Sequence, residues 1–225
     1  MKIFIIPFAV CLFLFLPDLQ GQAIHFDKSN LQPINVSMSV EKLLGKDVVK
    51  VIKDSSIKAV DQPTFVKIGG YHFKNGIIEM NVLNRLLPTA PSFARGFIGI
   101  AFRVNDSNNR FEFIYIRPVN GRADNQIQRN HSIQYFSYTG YDFEYLRKEA
   151  PGQYEAYADM EINEWITMKI EVNGLKAKLF LNNNKQPSLI VNDLKQGSDL
   201  SGAIGLWVDI GTEGFFSDLK IYQYE

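Results

Sequence analysis

The sequence predicts an all-β fold of antiparallel strands. Three observations predict it. Short segments alternate apolar and polar residues with period two, Asn-Gly turn signals separate several of them, and no stretch sustains a helical period. Aromatic residues make up 13% of the chain, with Phe and Tyr dominating, a composition that suits both strands and sugar contacts.

The first residues read as an export signal rather than as part of the fold. Lys2 supplies the positive start, residues 3–16 are almost wholly apolar, and Pro17 and Asp18 break the run. Small residues at Gly21 and Ala23 place cleavage after Ala23, with cleavage after Gly21 as the near alternative. The run is too short to span a bilayer comfortably, so no membrane span is expected in the mature chain. The expected organisation is a signal peptide over residues 1–23 and one domain over residues 24–225, located in the periplasm or outside the cell.

Cys11, the only cysteine, lies inside that apolar run. The mature chain therefore excludes a disulfide scaffold, a thiol enzyme and a cysteine-ligated metal site. Lys plus Arg (24) balances Asp plus Glu (24), so no global field attracts nucleic acid or an anionic membrane. No phosphate-binding glycine loop or nucleophile elbow occurs.

Along the chain, INVSMSV (34–40) alternates as a strand and residues 41–44 read as a short turn. DVVKVIK (47–53) and TFVKI (64–68) follow as strands, then the Asn75-Gly76 turn and a strand over 77–83. Residues 88–95 form a breaker-rich loop. In GFIGIAFRV, Ile98, Ile100, Phe102 and Val104 share one face, and Gly99, Ala101 and Arg103 share the other. That small second face lets either a ligand or an opposing layer approach closely. Residues 105–110 are short enough to make a hairpin with FEFIYIR. Later, WITMKIEV and LKAKLFL flank Asn173-Gly174, the strongest hairpin signal in the chain. SLIV, GAIGLWVD and FFSDLKIY complete the pattern.

Residues 111–155 interrupt this regularity with a crowd of Arg, Tyr, Asn and Gln. In FEFIYIR, Phe111, Phe113, Tyr115 and Arg117 point one way and Glu112, Ile114 and Ile116 the other. Two readings stand: Arg117 and Tyr115 present a fork and a ring to a ligand, or the rings are core and Arg117 leaves for solvent. Asn120-Gly121 marks a turn. Arg117, Arg122, Arg129 and Arg147 meet few acids nearby in sequence, which points to an anionic or hydroxyl-rich ligand such as a uronate or a sulfated sugar. His131, one of three histidines, lies near Arg129 and Gln134 and could serve as a general base or a hydrogen-bonding group. Tyr135 and Tyr145 are the tyrosines with the most polar neighbours and suit stacking on a sugar ring. No second His or acid stands at metal-ligand spacing to it, so no metal site is predicted.

Three pieces, FKNGIIEMNV, EWITMKIEVNGLKAKLFLNN and GAIGLWVDIGTEGFFSDLKI, carry a family resemblance that covers roughly residues 64–223. Their order resembles the concanavalin A-like lectin and glucanase superfamily. Within it the chain looks most like secreted bacterial domains grouped with 3-keto-disaccharide hydrolases and laminin-G-like modules. The resemblance implies a jelly-roll sandwich of two antiparallel sheets and a saccharide role on the concave sheet. It implies no cofactor, though it allows a structural calcium. The Glu-x-Asp-x-x-Glu pattern of the retaining glucanases is missing. Asp159 to Glu164 has its acids in the wrong order, and Glu144 to Glu149 carries Arg147 and Lys148, so no two-carboxylate mechanism is assigned.

The leading expectation is saccharide binding in a polar groove built from Arg117, Asn120, Arg122, Arg129, Gln134, Tyr135, Tyr145 and Arg147. A glycoside hydrolase or lyase with His131 or Glu112 as acid/base is the alternative. A laminin-G-like protein-interaction module is the third reading, which a flat face without a cleft would favour.

Overall fold

The structure, a computed structural model, describes residues 21–224. The predicted export signal, up to its last three residues, lies outside the described residues. The chain runs β1 (Gln22–Ala23), a 3₁₀ turn (Lys28–Asn30), β2 (Leu31–Ile34), β3 (Val36–Leu43), β4 (Lys46–Lys53), β5 (Phe65–Phe73), β6 (Gly76–Leu86), β7 (Ile98–Val104) and β8 (Phe111–Ile116). It continues through α1 (Pro118–Gly121), α2 (Gln126–Asn130), β9 (Ile133–Tyr138), α3 (Phe143–Glu149) and β10 (Glu155–Ala156). The last elements are β11 (Ile166–Asn173), β12 (Lys176–Leu181), β13 (Leu189–Val191), β14 (Gly202–Val208) and β15 (Thr212–Gln223).

These strands form two antiparallel sheets, as the alternation predicts. One has the order β13-β12-β11-β6-β15-β4-β3, with β1 added beside β15; the other has the order β10-β9-β8-β7-β14-β5-β2. The core lies between them. Ile78, Met80, Met168 and Ile170 from the first sheet and Ile98, Ile100, Ile114 and Leu206 from the second are fully buried in one cluster. At Gly214 of β15 a Cβ would meet Val208 and Ile98 of the facing sheet, so the two layers touch there.

The other face of the seven-stranded sheet is also sealed, by aromatic rings. Gly99 pairs with Tyr115 on one side and Trp207 on the other, and those rings approach to 5.3 Å across it. Trp207 also packs 4.4 Å from Phe113. The small stripe seen in GFIGIAFRV therefore makes room for neighbouring rings of the same sheet.

Three local readings change. The segment 34–40 is not one strand, because Asn35 takes a positive φ of 53° and passes the chain from β2 in one sheet to β3 in the other. The turn expected over 41–44 narrows to Leu44 and Gly45, since β3 continues to Leu43. Helices occur after all, as three short pieces between residues 118 and 149. Four to seven residues are too few to show a period, but their caps are readable. Pro118 opens α1, Asn125 accepts from the Gln128 amide at 3.0 Å, and Asp142 accepts from the Tyr145 amide at 2.8 Å. Among the described residues no helix is long and apolar enough to cross a membrane.

Candidate functional site

The site begins with strand register. Tyr115 of β8 lies opposite Gln134 of β9, and Gln134 opposite Glu155 of β10, so the three share one face. Arg117, two residues beyond Tyr115, rises on that same face at the strand end. Its guanidinium lies 4.8 Å from the Tyr115 ring centroid and 5.5 Å from that of Phe143, and it donates to the Tyr115 hydroxyl.

Glu155 is the charge around which this end is built. Its side chain is only 3% exposed, and it accepts from Arg147 through Nε at 3.0 Å and through Nη2, and from Arg117 Nη1 at 3.4 Å. A buried carboxylate needs such company, because an unpaired charge there would cost several kcal/mol (on the order of 3–5). Burial alone would raise the Glu155 carboxyl, but hydrogen bonds and charge from Arg147, with the charge of Arg117 and, once it is protonated, of His131, hold it below the usual carboxylate range.

His131 ends α2, and its carbonyl accepts from Arg117 Nη1 at 3.1 Å and from Asn120 Nδ2 at 3.0 Å. Gln128 in turn donates to Asn120 Oδ1 at 3.0 Å, which locks α1, α2 and His131 together. The imidazole Nδ1 stands 2.8 Å from Glu155 Oε1, yet it is not aligned for a hydrogen bond and has no other partner. Burial lowers the His131 pKa; the Glu155 charge opposes this, and the Arg147 and Arg117 charges reinforce it. Neutral imidazole is therefore favoured.

The opposite wall comes from distant parts of the chain. Asp209, just after β14, receives the Lys53 ammonium in a buried pair and accepts from the Asp61 amide at 2.9 Å. Lys53 also donates to the Ala59 carbonyl at 2.6 Å. The Asp61 carboxylate then accepts from the Phe143 amide at 3.0 Å, joining the β4–β5 loop to the start of α3. Burial pushes the Asp61 carboxyl up to about 7, with the Asp209 charge adding to the rise against the Phe143 amide and the Arg117 charge.

Between these walls lies a cavity of about 580 Å³. Arg117, Asn120, His131, Arg147, Asp61 and Asp209 are among its polar groups, and Tyr115, Phe93, Phe97 and Phe143 are its rings. Such a mixture can hold a hydroxyl-rich ring by hydrogen bonds and by stacking.

Of the residues singled out in the sequence, the fold brings Arg117, Asn120, His131 and Arg147 to this cavity. Gln134 lies directly beneath it, fully buried, with Oε1 3.5 Å from both terminal nitrogens of Arg117. The others are elsewhere. Glu112 is on the opposite face of β8, where it accepts from the Tyr135 hydroxyl at 2.7 Å and the Gln196 amide at 2.8 Å. Tyr135 is fully buried with it, because consecutive strand residues cannot share a face. Tyr145 is exposed and packs its edge against Tyr141. Arg122 pairs with Asp159 and Glu161, and Arg129 donates to Tyr157, both outside the cavity. The scarcity of acids around the arginines is thus a feature of local sequence only. Asp61, Asp209, Glu155 and Phe97 escaped the sequence reading. The acids stand singly in their segments, and only the fold assembles them.

A two-sheet antiparallel sandwich with a polar, ring-lined cavity on one sheet is the class this geometry defines. No protein-family model matches the chain, and no curated protein matches it. Solved structures share the fold. A carbohydrate-binding module, CBM66 from Bacillus subtilis, superposes with a TM-score of 0.57 at 12% identity, over 85% of this chain and 95% of its own. A Bacillus subtilis protein of unknown function with a galectin-like fold gives 0.55 at 11% identity, over 88% and 92%. A glycosidic hydrolase gives 0.50 at 12% identity, over 92% and 97%. The chain has the jelly-roll fold of concanavalin-like and galectin-like sandwiches.

Proposed function

We propose that this protein binds a saccharide in the cavity between α2, α3 and the β4–β5 loop. The observation that carries the reading is the convergence of Arg147, His131 and Asn120 with the rings of Tyr115, Phe97 and Phe143 on one cavity. The carbohydrate-binding and glycosidic neighbours support it at the level of fold. Arg117 and Arg147 both engage Glu155, whose single charge offsets one of theirs, so the reading extends to a neutral sugar as well as to the acidic one that the sequence suggested. The cleft also weighs against a flat laminin-G-like interaction face.

A second reading, hydrolysis or elimination on a sugar, is favoured by one observation. Asp61 keeps its proton to about pH 7, and His131, held neutral, lines the same cavity. Those are the states that a general acid and a general base require. Glu112 takes no part, since it faces away.

One experiment separates these readings. Titrating the chain against a panel of neutral and acidic glycans, while assaying for turnover, should give saturable binding. His131→Ala should weaken it roughly tenfold or more, the scale of one lost hydrogen bond in a partly buried site. Undiminished binding by His131→Ala and Arg147→Ala would place the ligand elsewhere. Turnover that Asp61→Asn abolishes without loss of binding would select the second reading.

A further inference from the structure

Among the described residues ten large hydrophobic side chains stand exposed, and three of them line this one cavity. Val60 comes from the β4–β5 loop, Phe93 from the β6–β7 loop and Ile127 from α2. They are 36%, 53% and 70% exposed. None is a sequence neighbour of another, so no single amphipathic segment explains their meeting. Exposed apolar side chains scattered singly are normal, whereas apolar side chains gathered around one cavity mark a place where something apolar sits.

The polar groups fall into two sets, since Asn125 and Glu144 stand exposed beside the apolar side chains and the others lie deeper. Asp61, Asp209, Arg117 and Asn120 are all buried, and they form the floor. A single occupant that reaches from the buried polar floor to the three apolar side chains of the rim is hydroxyl-rich at one end and apolar at the other. The volume, about 580 Å³, falls within the range of roughly 300–1,000 Å³ that encloses ligands larger than one small ring. Resting on the saccharide reading above, we infer that the ligand is a glycoside with an apolar aglycone. Its sugar lies on the Arg117–His131 floor and its aryl or alkyl group lies against Phe93 and Ile127.

The chemistry at the rim is burial of apolar surface, with no covalent step. Its strength should follow the area covered, and neither exposed side chain supports the core. Both can therefore be changed without unfolding the protein, and a thermal melt checks this.

The test is a calorimetric titration of the full chain with matched methyl and 4-nitrophenyl glycosides of glucose, galactose, mannose, xylose, arabinose and fructose. Free 4-nitrophenol is titrated alongside. For at least one sugar the aryl glycoside should bind about tenfold tighter than its methyl partner. Phe93→Ser and Ile127→Ser should each remove most of that advantage and leave the methyl glycoside unaffected. Equal affinity within every pair that binds would overturn the aglycone inference and leave the saccharide reading standing. Failure of every glycoside would overturn both. If free 4-nitrophenol bound as tightly as its best glycoside, one ligand would not be spanning floor and rim, and the inference would fall. Self-association in sedimentation that Phe93→Ser abolishes would give the rim to a second copy of the chain and overturn it as well.

Discussion

Asp61 shows how one side chain can both build a wall and respond to pH. Its amide is held by Asp209 and its carboxylate by the Phe143 amide, so the residue joins two elements that are distant in sequence. Its carboxyl, raised to about 7, lies above the ordinary aspartate value of about 4. The stabilising contribution of such a group is complete below about pH 4. It is lost as pH rises through the folded value, because the unfolded chain releases its proton first. Asp61→Asn removes this dependence while keeping an oxygen for the Phe143 amide. The wild type should therefore lose stability relative to Asp61→Asn between about pH 4 and pH 7.5, on the order of 3 kcal/mol. Chemical denaturation of both proteins across that range measures it; parallel curves would show that Asp61 ionises normally. At this same scale the sequence was partly legible. Alternation in FEFIYIR already separates Glu112 from Arg117, and adjacency alone keeps Gln134 and Tyr135 from sharing a groove. What it could not show is that Arg117 and Arg147 meet at Glu155, since that pairing depends on the β9–β10 register.

Among the elements, the β7–β8–β14 trio supports the site, with Tyr115 in β8 and with Arg117 and Asp209 directly after β8 and β14. Gly99 sits between Tyr115 and Trp207, and a Cβ there would lie 2.4 Å from the Ile114 carbonyl oxygen and 2.5 Å from the Tyr115 Cα. Backbone atoms cannot swing aside as a flexible side chain can. Gly99→Ala should thus cost roughly 1–3 kcal/mol, and it should disturb the ring of Trp207, whose Nε1 donates to the Gln62 carbonyl at 2.9 Å. A drop in midpoint with a changed tryptophan emission would confirm the coupling; unchanged emission would show that the strands adjust without moving the ring. The strands were legible because their signal, a period of two, lies inside each segment. The helices were not, because α1, α2 and α3 are too short for a period, and only Pro118, Asn125 and Asp142 advertised them.

For the whole molecule, legibility divides along contact distance. Hairpins such as β7–β8 and β11–β12 could be read from adjacent segments, whereas the cavity draws on Asp61, Phe97, Arg147 and Asp209, which no local pattern links. The eight-stranded sheet has the same character. One of its interior strands, β15, pairs with β6 through Thr212–Gln223 and with β4 on its other side, although it is the last of the described strands. A chain lacking residues 212–224 leaves β4 and β6 with open edges and an uncovered core face. Such a chain should show no cooperative unfolding and no fixed near-ultraviolet signal, and a native-like melt would contradict this. The arrangement also orders events in time. However early the hairpins form, the layer closes only when its keystone arrives, so a chain still being made or still being threaded through a narrow passage stays unlocked until residues near 212 are free to enter.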